Sequence, residues 1–200
     1  MTLLATLVIA GVAGGAALFL MPSTAPVETA LDMRGRPVAL DPGVAAAGAH
    51  ADADIGMRLR VPDVGLDVPV GEVDAVDGVI VPPGFTSAYV VGNRGVTPED
   101  AASGTVYVAM HSLRDGGVGP GNSLIDVDAQ SARVAPGTLI ELDDTTYRVD
   151  GSALIGKNRL AQSSDVWAAV PGRLVLITCL QRPGGGASVQ NVLVFATEVP

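Results

Sequence analysis

Leu174-Val175-Leu176-Ile177-Thr178-Cys179 is the stretch on which the reading of this chain turns. Leucine and β-branched residues follow one another without a break, with Pro171 and Gly172 before them. Such a run reads as a strand buried on both faces. It stops at the only cysteine of the chain, and Leu180-Gln181-Arg182-Pro183-Gly184-Gly185-Gly186 cannot continue a ladder. A thiol at the last residue of a stiff strand is held in place while the loop beside it leaves room for a substrate.

The flanking sequence repeats the theme of short strands. Met57-Arg58-Leu59-Arg60-Val61 alternates strictly, Pro62-Asp63 turns, and Leu66-Asp67-Val68-Pro69-Val70 alternates again. Further strands are expected at 79–81, 87–91, 105–111, 123–127, 138–142, 145–149 and 190–199, with Asp143-Asp144 as a hairpin turn. Ser163-Ser164-Asp165 suits the cap of one short helical turn through Val170. Eight or more short strands without a repeat imply an all-β barrel or sandwich, and the pattern alone does not choose between them.

Composition agrees. Apolar residues make up 48% of the 200 and charged residues 16%, enough for a sizeable core. Aromatics are only 4%, so that core is built from Val, Leu, Ile and Ala, and the 25 glycines and 14 prolines favour short strands over helices. The net charge of −9, with no Lys/Arg cluster and Lys157 as the sole lysine, excludes a nucleic-acid partner, which requires a basic face.

Ahead of these strands, Leu3 to Met21 carries no charge and as a helix is about 28 Å long, about a bilayer core. It is too long for a signal-peptide core, no Lys or Arg precedes it, and Met21-Pro22-Ser23-Thr24-Ala25 is a poor cleavage site. Residues 1–21 are therefore expected to be an uncleaved transmembrane signal anchor. Residues 22–56, rich in Ala, Gly, Pro and Asp, read as a flexible extracellular spacer, with His50 a solvated linker residue. Residues 57–200 are the folded domain.

Within that domain stand one histidine and one cysteine, His111 and Cys179. Each ends a strongly predicted strand and opens a loop containing glycine and arginine. A cysteine nucleophile works as thiolate and needs a nearby base or cation and partial exposure. An unpaired extracellular cysteine cannot form a disulfide within the chain and stands out as a free thiol. One Cys and one His cannot close a metal coordination shell, so no metal is expected.

These residues carry a resemblance. Leu176-Ile177-Thr178-Cys179 resembles the TLxTC signature of sortases, the membrane-anchored cysteine transpeptidases of Gram-positive surfaces. Tyr107-Val108-Ala109-Met110-His111-Ser112 is similar to the family's catalytic-histidine strand, although Met110 stands where a glycine usually precedes the histidine. Arg58-Leu59-Arg60-Val61-Pro62 with Val68-Pro69-Val70 resembles the opening strands, Gly78-Val79-Ile80-Val81-Pro82-Pro83 a frequent internal segment, and Asn191 to Val199 the closing strand. The likeness covers about residues 57–199 in the right order, and its style resembles the actinobacterial classes E or F.

The resemblance implies a closed eight-stranded sortase-type β barrel with short helical turns, behind an N-terminal transmembrane helix. It implies acyl transfer in two halves. Cys179 attacks the Thr carbonyl of an LPxTG- or LAxTG-type sorting signal on a surface protein, and an amine of a peptidoglycan precursor or pilin resolves the thioacyl-enzyme. His111 is the implied general acid and base, Thr178 a substrate-positioning residue, and no cofactor is needed. The implied location is the cell membrane, single-pass, with the catalytic domain outside.

One departure matters. The family places an essential arginine on the closing strand, but Ser188-Val189-Gln190-Asn191-Val192-Leu193-Val194 has none. Val189 or Asn191 occupies its place, depending on alignment. Arg182, three residues after Cys179, is the expected substitute; Arg114 is a weaker one, and Asn191 offers an amide without charge. The missing arginine supports a second reading, a catalytically weak barrel that binds surface-protein tails. A third is a cysteine hydrolase without an amine acceptor.

Overall fold

The computed structural model describes residues 30–38 and 51–200. The expected membrane helix over 1–21, the rest of the spacer and His50 lie outside the described residues. Among the described residues no helix is long and apolar enough to cross a membrane.

The strands are β1 (Ala51–Val61), β2 (Leu66–Val73), β3 (Ala88–Val91), β4 (Thr105–Met110), β5 (Ile125–Asp126), β6 (Ser131–Ala132), β7 (Leu139–Leu142), β8 (Thr145–Gly156), β9 (Arg173–Leu180) and β10 (Gln190–Glu198). One four-residue helix, α1 (Lys157–Leu160), follows β8. Eight strands close into a barrel in the order β1-β2-β3-β4-β9-β10-β8-β7, and β5 and β6 form a separate small ribbon. The pairs β2–β3 and β4–β9 are parallel and the other pairs in the barrel antiparallel. Closure leaves no sheet edge exposed to pair with another chain, and it decides between barrel and sandwich.

The uninterrupted apolar run that opened the sequence reading has a simple cause. On β9, Leu174, Leu176 and Leu180 point into the barrel and join the main core with Val106, Val108 and Met110 of β4 and Val192, Val194 and Ala196 of β10. Val175 and Ile177 point outward, into a second cluster with Tyr107, Ala109, Leu160, Val166 and Leu193. The segment 157–170 lies over this outer face. Trp167 Nε1 donates to Leu160 O at 2.7 Å, Tyr107 Oη donates to Val166 O at 2.8 Å, and Arg173 Nη2 donates to Val166 O at 2.9 Å. Both faces of β4, β9 and β10 are therefore dry, so alternation disappears from their sequence.

Four expectations need correction. Residues 79–81 form no strand: Asp77 and Gly78 turn at positive φ, a single bridge joins Val76 to Val79, and Pro82-Pro83 follows. Of residues 123–127, Ser123 and Leu124 end a 3₁₀ turn, Pro120–Leu124, and only Ile125–Asp126 is extended. The short α-helix lies at 157–160, and the turn after Ser163, closed by Trp167 N donating to Ser163 O at 3.2 Å, stops short of Val170, because the backbone carbonyls of 166 and 168 are held by Tyr107 and Arg173. Finally, part of the expected spacer is ordered. Residues 51–56 belong to β1, and Ala30–Val38 folds back on the loop that follows β4.

Candidate active site

The parallel pairing of β4 with β9 sets the site. Met110 pairs with Thr178, so His111 and Cys179 are the next residues on two adjacent strands, at a spacing of about 5 Å. By alternation both fall on the outer face, with Ala109 and Ile177. Two cavities flank them: a groove of about 290 Å³ and a more apolar one of about 420 Å³, each lined by both His111 and Cys179. Cys179 is half-buried and carries a free thiol.

Two contacts hold His111. Its ring stacks on Phe85 with centroids 4.6 Å apart, and its Nε2 lies 2.9 Å from Pro82 O. A carbonyl oxygen only accepts, so Nε2 carries the hydrogen and Nδ1 is the basic nitrogen. Burial pushes the imidazole below its ordinary pKa, the bond to Pro82 opposes this, and the positive charge of Lys157 lowers it further. His111 is thus a neutral base at neutral pH.

The strand ends are locked together from beneath. Ser112 Oγ donates to Cys179 O at 2.5 Å, and buried Gln181 donates from Nε2 to Ser112 O at 2.8 Å and Oγ at 3.0 Å. Gly121 N donates to His111 O at 2.8 Å. Asn122 shapes the loop, accepting from Leu113 N and Gly119 N and donating to Leu113 O. Sequence reasoning missed Ser112, Gln181 and Asn122; the only signal was polar residues just past two strand ends and an asparagine in a Gly/Pro-rich turn.

The other predicted site residues divide. Asn191 lies on β10 directly opposite Cys179, which settles the alignment left open above: Asn191, not Val189, stands beside the thiol. It is 7% exposed and lines the apolar cavity. Thr178 alternates to the other side of β9, where it is 3% exposed under Gly121 with its hydroxyl unpartnered. Arg182 is exposed, within a turn closed by Gly185 N donating to Arg182 O at 3.0 Å, and lines neither cavity. The chain leaves β9 at Leu180 and turns outward through Pro183, carrying Arg182 with it. Arg114 and Lys157 are the cations that line the groove.

The ordered N-terminal piece reaches the same place. Asp32, 2% exposed, accepts from Arg34 N, Arg36 N and Val118 N and pairs with Arg36 at 2.9 Å. These donors hold its carboxyl at about 2, well under the usual carboxylate range. Met33 N donates to Val118 O at 2.8 Å, and Arg36 Nη2 donates to Gly116 O. Asp32, Pro37 and Val38 thereby form part of the groove wall.

A closed eight-stranded barrel with a thiol and an imidazole on neighbouring strand ends is the sortase-type fold. Solved structures of sortases share it. Sortase A of Listeria monocytogenes aligns at a TM-score of 0.51 and 16% identity over 72% of this chain and 86% of that one. A pilus-related sortase C of Group B Streptococcus aligns at 0.52 and 15% identity, over 72% and 66%. A lid mutant of sortase A from Corynebacterium diphtheriae aligns at 0.50 and 15%, over 72% and 69%. No family model and no curated protein matches the sequence. At these identities the likeness is one of fold.

Proposed function

We propose that this chain is a cysteine transpeptidase that cleaves an LPxTG- or LAxTG-type sorting signal and passes the acyl group to an amine. The observation that carries the reading is the placement of His111 and Cys179 on adjacent strand ends, sharing both cavities. His111 Nδ1 takes the proton of the Cys179 thiol as Sγ attacks the threonyl carbonyl carbon, and the tetrahedral adduct collapses with loss of the C–N bond. The departing amine takes a proton from His111 Nδ1, leaving a thioester on Sγ. An incoming amine gives its proton back to Nδ1, attacks the thioester and frees the thiolate. Protonated His111, destabilised by burial, is a strong acid for the first half and, once neutral, a base for the second.

The polar groove and the apolar cavity divide the peptide between them: Ile80, Val81, Ala109 and Ile177 suit aliphatic residues before the scissile bond. Asn191 is proposed to bind the substrate backbone beside the thiol. Surface-protein tails and a peptidoglycan or pilin amine are the proposed partners, and Leu3–Met21 the proposed single-pass anchor holding the domain outside the cell membrane. The absence of a cation on β10 opposite Cys179 favours a second reading, a barrel that binds such tails with little turnover. The test is incubation of the protein with both peptide types and a small amine. An amide-linked peptide–amine product supports transpeptidation; peptide hydrolysed without regard to amine indicates a hydrolase; neither product indicates the binding module.

A further inference from the structure

Attack by Cys179 leaves a full negative charge on the former carbonyl oxygen, next to Sγ, and acyl transfer is fast only where fixed donors meet that charge. Asn191 provides one. Its side chain is buried directly across from Cys179 and lines the apolar cavity that His111 and Cys179 share. A neutral amide alone does not balance an anion in a half-buried groove. The chain's sole lysine lies two residues beyond the strand partner of Asn191: Asn191 pairs with Ile155 on β8, and Lys157 follows through Gly156. Lys157 N donates to Val189 O at 3.0 Å, which pins its backbone against the entry to β10. Its side chain lines both cavities with His111 and Cys179, and no carboxylate among the described residues pairs with it. Arg114, the other cation lining the groove, pairs with Asp115 at 3.3 Å and does not line the apolar cavity with Asn191.

We propose that Lys157 is the cationic half of an oxyanion site whose neutral half is Asn191, a role that rests on the transpeptidase reading above. As the Sγ–C bond forms, the carbonyl π pair moves onto oxygen, and Lys157 Nζ–H and Asn191 Nδ2–H donate to it without giving up a proton. The oxygen returns to a carbonyl when the amine leaves with the proton of His111. The cation thus enters from the strand beyond β10 rather than from β10 itself.

Single-turnover acylation by the sorting-signal peptides, followed by intact mass, tests this on wild type, Lys157→Met and Lys157→Arg, with alkylation of Cys179 by iodoacetamide measured alongside. Alkylation builds no oxyanion. Lys157→Met should slow acylation about 100-fold, the effect of removing one oxyanion donor, while alkylation stays within about threefold. Lys157→Arg should recover much of the loss. Acylation by Lys157→Met within about threefold of wild type overturns the proposal, as does an equal slowing of acylation and alkylation, which places the effect on the thiol. Failure of wild type itself to acylate, with alkylation intact, overturns the transpeptidase reading and this role with it.

Discussion

Gly121 is the tightest point between the loop after β4 and the strand that carries the thiol. A Cβ there would overlap Thr178 Oγ1 and lie 2.8 Å from Thr178 Cβ and 3.0 Å from His111 O. Gly121 N is already tied to His111 O at 2.8 Å, so the backbone cannot back away without releasing the residue that follows β4. Thr178 is β-branched and buried at the barrel end, and has little freedom to rotate aside. Gly121→Ala is therefore an overpacking change that costs about 2 kcal/mol and lowers Tm by about 4–8 °C for a domain of this size. Displacement of His111 should also slow acylation of Cys179. Thermal melts of Gly121→Ala, Thr178→Ala and the double variant measure it: removing Oγ1 relieves the overlap, so the double variant should be more stable than the two single losses added, by about 1 kcal/mol. Gly121→Ala melting with wild type and acylating normally would refute the packing and the coupling to His111.

Other outcomes follow from the same geometry. Asp32→Asn should detach residues 31–38, seen as faster hydrogen exchange there and faster alkylation of Cys179 as the groove opens. Because the folded Asp32 titrates at about 2 against 3.8 unfolded, docking should hold above about pH 4 and weaken as pH falls toward 2. The His111 ring should titrate below 6.5 by NMR. An unfolded chain then binds the extra proton first, so stability should fall as pH drops through 6.5 toward the folded value, and a titration at or above 6.5 would contradict its burial. Tyr147→Phe removes a hydroxyl buried in the barrel without a partner and should raise stability by about 1 kcal/mol; a large loss would reveal a partner for that hydroxyl.

The thiol and imidazole were legible because each ends a run of strand residues and each is the only one of its kind in the folded part. The closed barrel was legible as many short strands, and the likeness to sortases selected closure. What escaped depends on register between distant strands. That Asn191 faces Cys179, and that Lys157 reaches the groove from just beyond β8, follow from pairings that no local pattern announces. Arg182 is near Cys179 in sequence, but the chain turns outward after Leu180, and two residues past a strand end is already a different surface. The Ala30–Val38 piece looked like spacer because one buried carboxylate and its backbone donors hold it, rather than an apolar pattern.

Every step of the proposed reaction passes through acylation of Cys179. Intact mass of the full chain with an LPxTG- or LAxTG-type peptide, quenched in acid and compared with Cys179→Ala and His111→Ala, tests it most directly. The expected result is an adduct of the peptide's amino-terminal fragment on wild type alone, mapped to Cys179 and discharged by added amine. A folded wild type with an alkylatable thiol and no adduct from either peptide would contradict it.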